Sequence, residues 1–338
     1  MSRLAGTLAL LFCVLLPRAA SAWGPDGHRV VGSIADQMLN PNAKQQIASI
    51  LGVDLRTAGP WLDCVKSVHR QADGTLAYVV DPQYEPPCTP FQDDHARMID
   101  YVGRNWVDCI YPEGASAAAN LGCHNTYHFD DVAIQRDRFD RNYAGTNDHD
   151  LVAAINAAIA VLLDRPAPPP FSIQDKKEAL LMLAHLVGDM TQPLHVGALY
   201  LDAKGALMDP DVTHTIDPST ETAGGNRIRS EVKAFHTEWD DNPRGLGDTA
   251  PPDLVAVARG VAADHGRIEN WSAAWASDTI LVAQEAMTGT TYAQTADRKW
   301  TVAFVDRAAY LRAEEAIKLR QLAKGGARLA EIMNTIWP

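Results

Sequence analysis

AHLVGDMTQPLHVG, residues 184–197, places His185, Asp189 and His195 within one short window. His185 and Asp189 are four apart, which on an α-helix stacks them on one face, one turn above the other. Pro193 cannot continue a regular helix, so the helix is expected to end near Thr191. His195 then lies on an irregular segment that can aim it at the same point. Two imidazoles and a carboxylate converging in this way suit zinc, which takes nitrogen and oxygen ligands. The window holds only part of a site, so the rest of the chain must supply partners.

Outward from this window the chain reads as nearly all helix. Gly27 to Leu39 is amphipathic, Pro41 opens a short helix through Ile50, and Ile155, Ile159 and Leu162 form a stripe within Asp148 to Asp164. Ser172 is the expected cap of the helix carrying His185 and Asp189. Arg229 to Asp240, Pro252 to Ala263 and Ser272 to Met287 read as helices. Lys299 to Ala323 reads as a long helix broken by Gly325-Gly326. From Pro60 to Asp148 prolines, cysteines and turns dominate, with one helical piece near Asp93 to Trp106 and a strand pattern only at Thr75 to Val80. No linker or repeat stands out. The expectation is one all-α domain over residues 23–338.

The first 22 residues have the pattern of a secretory signal peptide: Arg3, an apolar run from Leu4 to Leu16, and Ala20-Ser21-Ala22 as a cleavage site. The apolar run is too short to span a bilayer. A mature chain would begin at Trp23 and be secreted or periplasmic, without stable membrane association. It keeps Cys64, Cys88, Cys109 and Cys123, an even number that suggests two disulfides in any of the alternative pairings. The formal net charge is −12, and loss of Arg3 and Arg18 makes it −14. Such a balance by itself argues against a nucleic-acid partner, unless bound divalent metals reverse the sign locally.

Four further places can feed the metal window. Trp23-Gly-Pro-Asp-Gly-His28 would offer a free α-amino group, a carbonyl and an imidazole. Trp61-Leu-Asp63 is followed by Lys66. Tyr127-His128-Phe129-Asp130-Asp131 sets a histidine between two aromatics, a pattern that alone reads more readily as a partly buried structural residue. Phe235-His236-Thr-Glu-Trp-Asp240 repeats the four-residue spacing of His185 and Asp189. One such pair is common by chance, whereas two with His195 beside one of them are not. His69, His95, His124, His149, His214 and His265 read as surface or structural.

Taken together, the motifs resemble the zinc-dependent single-strand-specific nucleases of the S1/P1 type. The resemblance spans the whole mature chain in order: Trp23 with His28, W-x-D at Asp63, H-F-x-D at His128, H-x3-D-x5-H at His185, and GGN followed by H-x3-D at His236. It implies three zinc ions. Asp63, His128, His185 and Asp189 would hold the first; His195, His236 and Asp240 the second; Trp23, His28 and Asp189 the third, with Asp189 bridging. It also implies that Phe129 stacks a base, that Asp131 hydrogen-bonds it, and that Lys66 lies near the scissile phosphate. The implied activity is hydrolysis of single-stranded DNA and RNA to 5′-phosphorylated products, together with removal of 3′-phosphates from nucleotides. Three zinc ions against three ligand aspartates would make the site locally positive, which answers the charge objection.

Two departures from the fungal pattern stand out. Residues 64–127 form a long insertion holding or flanking all four mature cysteines, so the family's disulfide pairing does not transfer. Thr191 stands where relatives often have another histidine. The alternative is a zinc-dependent phospholipase C on the same helical scaffold. Against it, Trp23 and His28 are close in sequence, and the last ligand pair ends in Asp240 where those enzymes typically have glutamate.

Overall fold

The computed structural model describes residues 23–80, 82, 85–106, 122–231 and 233–338; the expected leader and Cys109 fall outside them. The chain is mainly helical. In order come α1 (Pro25–Asp36), α2 (Pro41–Leu51), α3 (Leu55–Ala58), α4 (Trp61–Val65), β1 (Val68–Arg70), β2 (Leu76–Tyr78), α5 (Glu85–Cys88) and α6 (His95–Arg104). A 3-10 segment, Cys123–His128, leads to β3 (Val132–Ala133) and then α7 (Leu151–Leu162). α8 (Lys176–Asp189) is followed by β4 (Gly197–Ala198), β5 (Ile228–Arg229) and α9 (Phe235–Asp240). The chain closes with α10 (Pro252–Arg259), α11 (Trp271–Ala286), β6 (Thr290–Gln294), β7 (Trp300–Phe304) and α12 (Arg307–Ile336). Among the described residues no helix is long and apolar enough to cross a membrane.

α8 is the helix around which the others pack. Every residue from Glu178 to Asp189 is buried, as expected of a helix covered on all sides. Its neighbours are α7, α12, α1, α2, α3 and α4. The expected cap, Ser172, is not the one used. Asp175 caps α8, accepting the Glu178 N–H at 2.9 Å, while the Ser172 backbone pairs with the Asn105 side chain. Asp175 sits immediately before the first helical turn, where a carboxylate meets both free N–H groups and the positive end of the helix dipole. The helix ends as Pro193 requires, and its terminal carbonyls are satisfied from outside. Thr279 on α11 donates to the Met190 carbonyl and Gln321 on α12 to that of Thr191, at 2.7 and 2.8 Å.

α12 corrects the expected break at Gly325-Gly326. The helix runs straight through both glycines because there its backbone lies against α1. A Cβ on Gly326 would come within 2.3 Å of the Ile34 Cβ, and one on Gly325 within 3.1 Å of the Thr191 hydroxyl. The intrinsic cost of helical glycine, about 1 kcal/mol each, is offset by this close packing.

The start of the expected helix at Lys299 is instead strand β7, which pairs antiparallel with β6 and parallel with β5. Trp300-Thr-Val-Ala-Phe304 alternates inward and outward, a period-two signal. Asp306, accepting the Ala309 N–H at 3.0 Å, starts α12. The helix expected from Arg229 likewise begins only at Phe235, because Ile228 and Arg229 are taken by β5. The strand expected at 75–80 is present as β2, paired with β1. Cys64 and Cys88 form a disulfide with Cα atoms 5.6 Å apart, and Cys123 is also disulfide-bonded.

Replacing Gly326 with Val is expected to destabilise the protein by about 1–3 kcal/mol through overpacking against Ile34. A thermal melt unchanged from wild type would contradict the close helix crossing.

Candidate metal centre

The C-terminal end of α8 brings the expected ligands together. Asp189 Oδ2 lies 2.9 Å from His128 Nδ1 and 3.3 Å from His185 Nε2, while its Oδ1 lies 3.3 Å from His28 Nε2. The two oxygens of one carboxylate thus face different imidazoles. His185 stands between them, stacked on His28 with ring centres 3.6 Å apart and edge-on to His128. Asp63, on α4, lies 3.9 Å from His185 Nε2. Lys66, one turn on, reaches back to Asp63 at 2.8 Å.

A second group lies beside the first. His195 Nε2 and His236 Nε2 are 3.1 Å apart, and Asp240 Oδ2 is 3.5 Å from His236 Nε2. Two sets, His28/His185/Asp189 and His195/His236/Asp240, each converge closely enough to hold an ion. Trp23 is buried beside them. Its indole donates to Thr191 at 3.3 Å, and the next residue's N–H donates to the Asp240 carbonyl at 2.9 Å. Thr191, which replaces a histidine of the resemblance, therefore anchors Trp23.

Backbone carbonyls aim the imidazoles. His185 Nδ1 faces the Gly59 carbonyl at 2.9 Å, His195 Nδ1 that of His128 at 2.6 Å, and His236 Nδ1 that of Gly224 at 2.6 Å. Each Nδ1 therefore carries the proton, and each Nε2 turns its lone pair inward. Gly224 and Gly225 have φ of +56° and +88°, so the paired glycines of GGN allow the left-handed turn that presents this carbonyl. Gln192 donates to Asp240 Oδ1 at 2.7 Å. Gly59 and Gln192 were not singled out in the sequence. Gln192 lies inside the opening window, and its complete burial is what marks it. The Gly59 carbonyl, as main chain, has no residue signature.

These side chains fit a cation. Both ring nitrogens of His28, Asp63 Oδ2 and Asp189 Oδ1 are buried without a hydrogen-bond partner, an arrangement that is costly unless something else satisfies them. The facing Nε2 atoms of His195 and His236 are both acceptors, and 3.1 Å is close to the ~3.3 Å spanned by two nitrogens on one tetrahedral zinc.

Burial dominates the titration of the centre. It holds His28, His128 and His195 well below the ordinary imidazole value, helped by neighbouring histidines and Lys66. His236 is lowered to about 4, mainly by burial. His185 is different: burial opposes its charged form, but Asp189 and Asp63 outweigh it and the pKa rises. Burial raises Asp189 and raises Asp240 further. Lys66, paired with Asp63, adds its charge to every one of these shifts.

At the rim, Phe129 is 36% exposed. Asp131 is raised to about 8 by burial and by Glu221, and its carbonyl accepts the Tyr200 hydroxyl at 2.7 Å. Of the histidines given no role, His124 and His149 are buried and the others lie at or near the surface.

A mainly helical scaffold converging two buried His/Asp groups on one helix end defines a helical metal-site protein. The chain belongs to the S1/P1 nuclease family, whose model matches residues 23–338. It is a metal-dependent nuclease, a hydrolase of phosphodiester bonds, which decides against the phospholipase alternative. Comparison with curated proteins yields no match.

The shift at His236 fixes a sign for acid stability. Its folded pKa of about 4 lies below the ordinary ~6.5, so only the unfolded chain gains protons between those values. The stability it contributes is complete above pH ~6.5 and is lost as pH falls toward 4, about 2 kcal/mol by pH ~5. In metal-free protein, His236→Gln is expected to make the thermal midpoint less sensitive to acidification from neutrality. An unchanged sensitivity would contradict the buried neutral imidazole.

Proposed function

We propose that residues 23–338 form one catalytic domain that binds three zinc ions and cleaves single-stranded DNA and RNA endonucleolytically, leaving 5′-phosphates, with 3′-nucleotidase activity besides. Residues 1–22 are proposed as its signal peptide and the enzyme as secreted or periplasmic. The observation that carries the reading is the split of the Asp189 carboxylate, one oxygen toward His28 and the other toward His128 and His185. Asp63, His128 and His185 would share one ion with Asp189. His28 and the amino and carbonyl groups of Trp23 would share another with it. His195, His236 and Asp240 would hold the third. Burial of Trp23 beside Asp240 supports a ligand role for a chain that starts at that residue.

Bound zinc would supply Lewis acidity, easing deprotonation of water and neutralising phosphate charge. The protein's own groups do the rest. Asp63, with one oxygen held by Lys66 and the other unpartnered, orients the attacking water. The Lys66 ammonium balances charge that builds on the phosphoryl oxygens. The carbonyls of Gly59, His128 and Gly224 keep the imidazoles from rotating, so little reorganisation accompanies reaction. Phe129 offers a ring for a base to stack on, and Asp131 a polar group for its edge. Bases of a single strand are free to enter such a site, whereas those of a duplex are held in their own stack.

The test is a zinc count beside hydrolysis assays on single- and double-stranded substrates. Three zinc ions per chain with a strong preference for single strands are expected; equal rates on duplex would contradict the reading. Asp189→Asn is expected to lose more zinc than Asp63→Asn and about 100-fold or more in activity. Wild-type zinc content in the Asp189→Asn protein would rule out the bridge. One extra residue before Trp23 is expected to empty the site formed with the terminal amine and lower turnover, and full zinc content with full activity would exclude that ligand.

A further inference from the structure

Outside the metal clusters, the insertion lays an arginine, four residues after Lys66, on an indole. The β1–β2 hairpin lies along α6 and is fixed to it at both ends. At the start of α6 the Tyr78 ring stacks on His95 with centres 3.7 Å apart and planes 13° from parallel. Just past its other end the Arg70 guanidinium carbon lies 5.4 Å from the centre of the Trp106 ring. Register is set by the pairs Val68↔Tyr78 and Arg70↔Leu76. The Cys64–Cys88 disulfide ties the root of the hairpin to the segment before α6.

Trp106 is a fixed floor linked to the metal centre. Its carbonyl accepts the Cys123 N–H at 3.1 Å, at the start of the 3-10 segment that ends in His128. Its ring lies 6.2 Å from that of His124. Gly122, at φ +80°, passes so close that a Cβ would sit 2.9 Å from the indole. The charge of Lys66 is felt at His124, where it adds to burial in lowering the imidazole to about 4. Both lead to the same centre: Lys66 pairs with Asp63, and His124 precedes His128 by four residues on the same 3-10 segment.

Arg70 is exposed and, among the described residues, makes no salt bridge. A guanidinium lying on an aromatic face keeps its edge N–H donors outward, in a planar fork that matches phosphate. A turn at Lys66–Ser67 and then β1 lead from Lys66 to Arg70, so four residues of chain, at most about 14 Å, separate them, within the reach of neighbouring phosphates on one strand.

We propose that Arg70, held on Trp106, is a strand-binding site that grips a backbone phosphate of single-stranded nucleic acid away from the scissile bond. This rests on the single-strand reading above. It gives the insertion a role: contact with long substrates rather than chemistry. On this proposal the contact is made away from the scissile phosphate, so a mononucleotide or dinucleotide held at the centre is expected to miss it.

The test compares wild type, Arg70→Ala and Arg70→Lys, as zinc-loaded enzymes, on a long oligothymidylate and on its dinucleotide. Arg70→Ala is expected to raise KM on the long strand about fivefold to tenfold, with kcat and dinucleotide turnover unchanged. The salt dependence of kcat/KM should flatten by about 0.7 in logarithmic slope, as for one lost phosphate contact. Arg70→Lys, which keeps the charge and loses the planar stack, should fall between. Equal losses on both substrates, or none on either, would overturn the proposal. Binding of a phosphorothioate oligothymidylate, followed by fluorescence anisotropy, separates this from failure of the single-strand reading. Should wild type cleave no single strands, that reading fails, yet a fivefold weaker affinity in Arg70→Ala still supports the site. Undiminished affinity in the variant, or no binding by wild type, overturns it.

Discussion

Two imidazole lone pairs that face each other across 3.1 Å inside a protein repel unless a cation lies between them, and His195 and His236 are in that position. Their Nδ1 protons are committed to backbone carbonyls, so neither ring can turn to relieve the contact. The same logic runs through both ring nitrogens of His28, Asp189 Oδ1 and Asp63 Oδ2, which are buried without a hydrogen-bond partner. Burial of such groups is tolerable when multivalent ions supply the missing interactions. An ion bound there would couple folding to metal binding and favour the charged forms of Asp189 and Asp240, whose pKa values burial otherwise raises.

The scaffold serves that constraint. α8 is enclosed on every side so that its C-terminal turn ends in a dry, fixed place. Thr279 and Gln321 close that turn from α11 and α12. The glycines of α12 let that helix approach α1, which carries His28. α3 and α4 follow with the Gly59 carbonyl between them and Asp63 beyond. The candidate ligands come from several local structures, with His185 and Asp189 sharing one helix and His236 and Asp240 another, and long-range packing makes them coincide. On the proposed reading the acidic chain, at −12, would meet an anionic polymer with charge concentrated at the centre and at Lys66.

Much of this was legible in the residues. The spacing of His185 and Asp189 and the placement of Pro193 fix a helical face and its end by backbone geometry alone. The repeated spacing at His236 and Asp240 does the same for α9, which put both pairs where the structure has them. Other features were hidden for physical reasons. Gly325-Gly326 carries a local signal for a break, and only the neighbouring helix turns it into a contact. Trp300 to Phe304 alternates too briefly to compete with the long helical run behind it. The carbonyls of Gly59 and Gly224 aim His185 and His236, but main-chain groups leave no mark in residue identity. The ring of Trp106 became informative only once Arg70 was seen to lie on it.

The most direct measurement is an anomalous difference map at the zinc absorption edge from crystals of the zinc-loaded enzyme beginning at Trp23. Three peaks are expected: one among Asp63, His128, His185 and Asp189, one among His28, Asp189 and the Trp23 terminus, and one among His195, His236 and Asp240. A single peak, or peaks away from Asp189, would contradict the shared-carboxylate centre on which the functional reading depends.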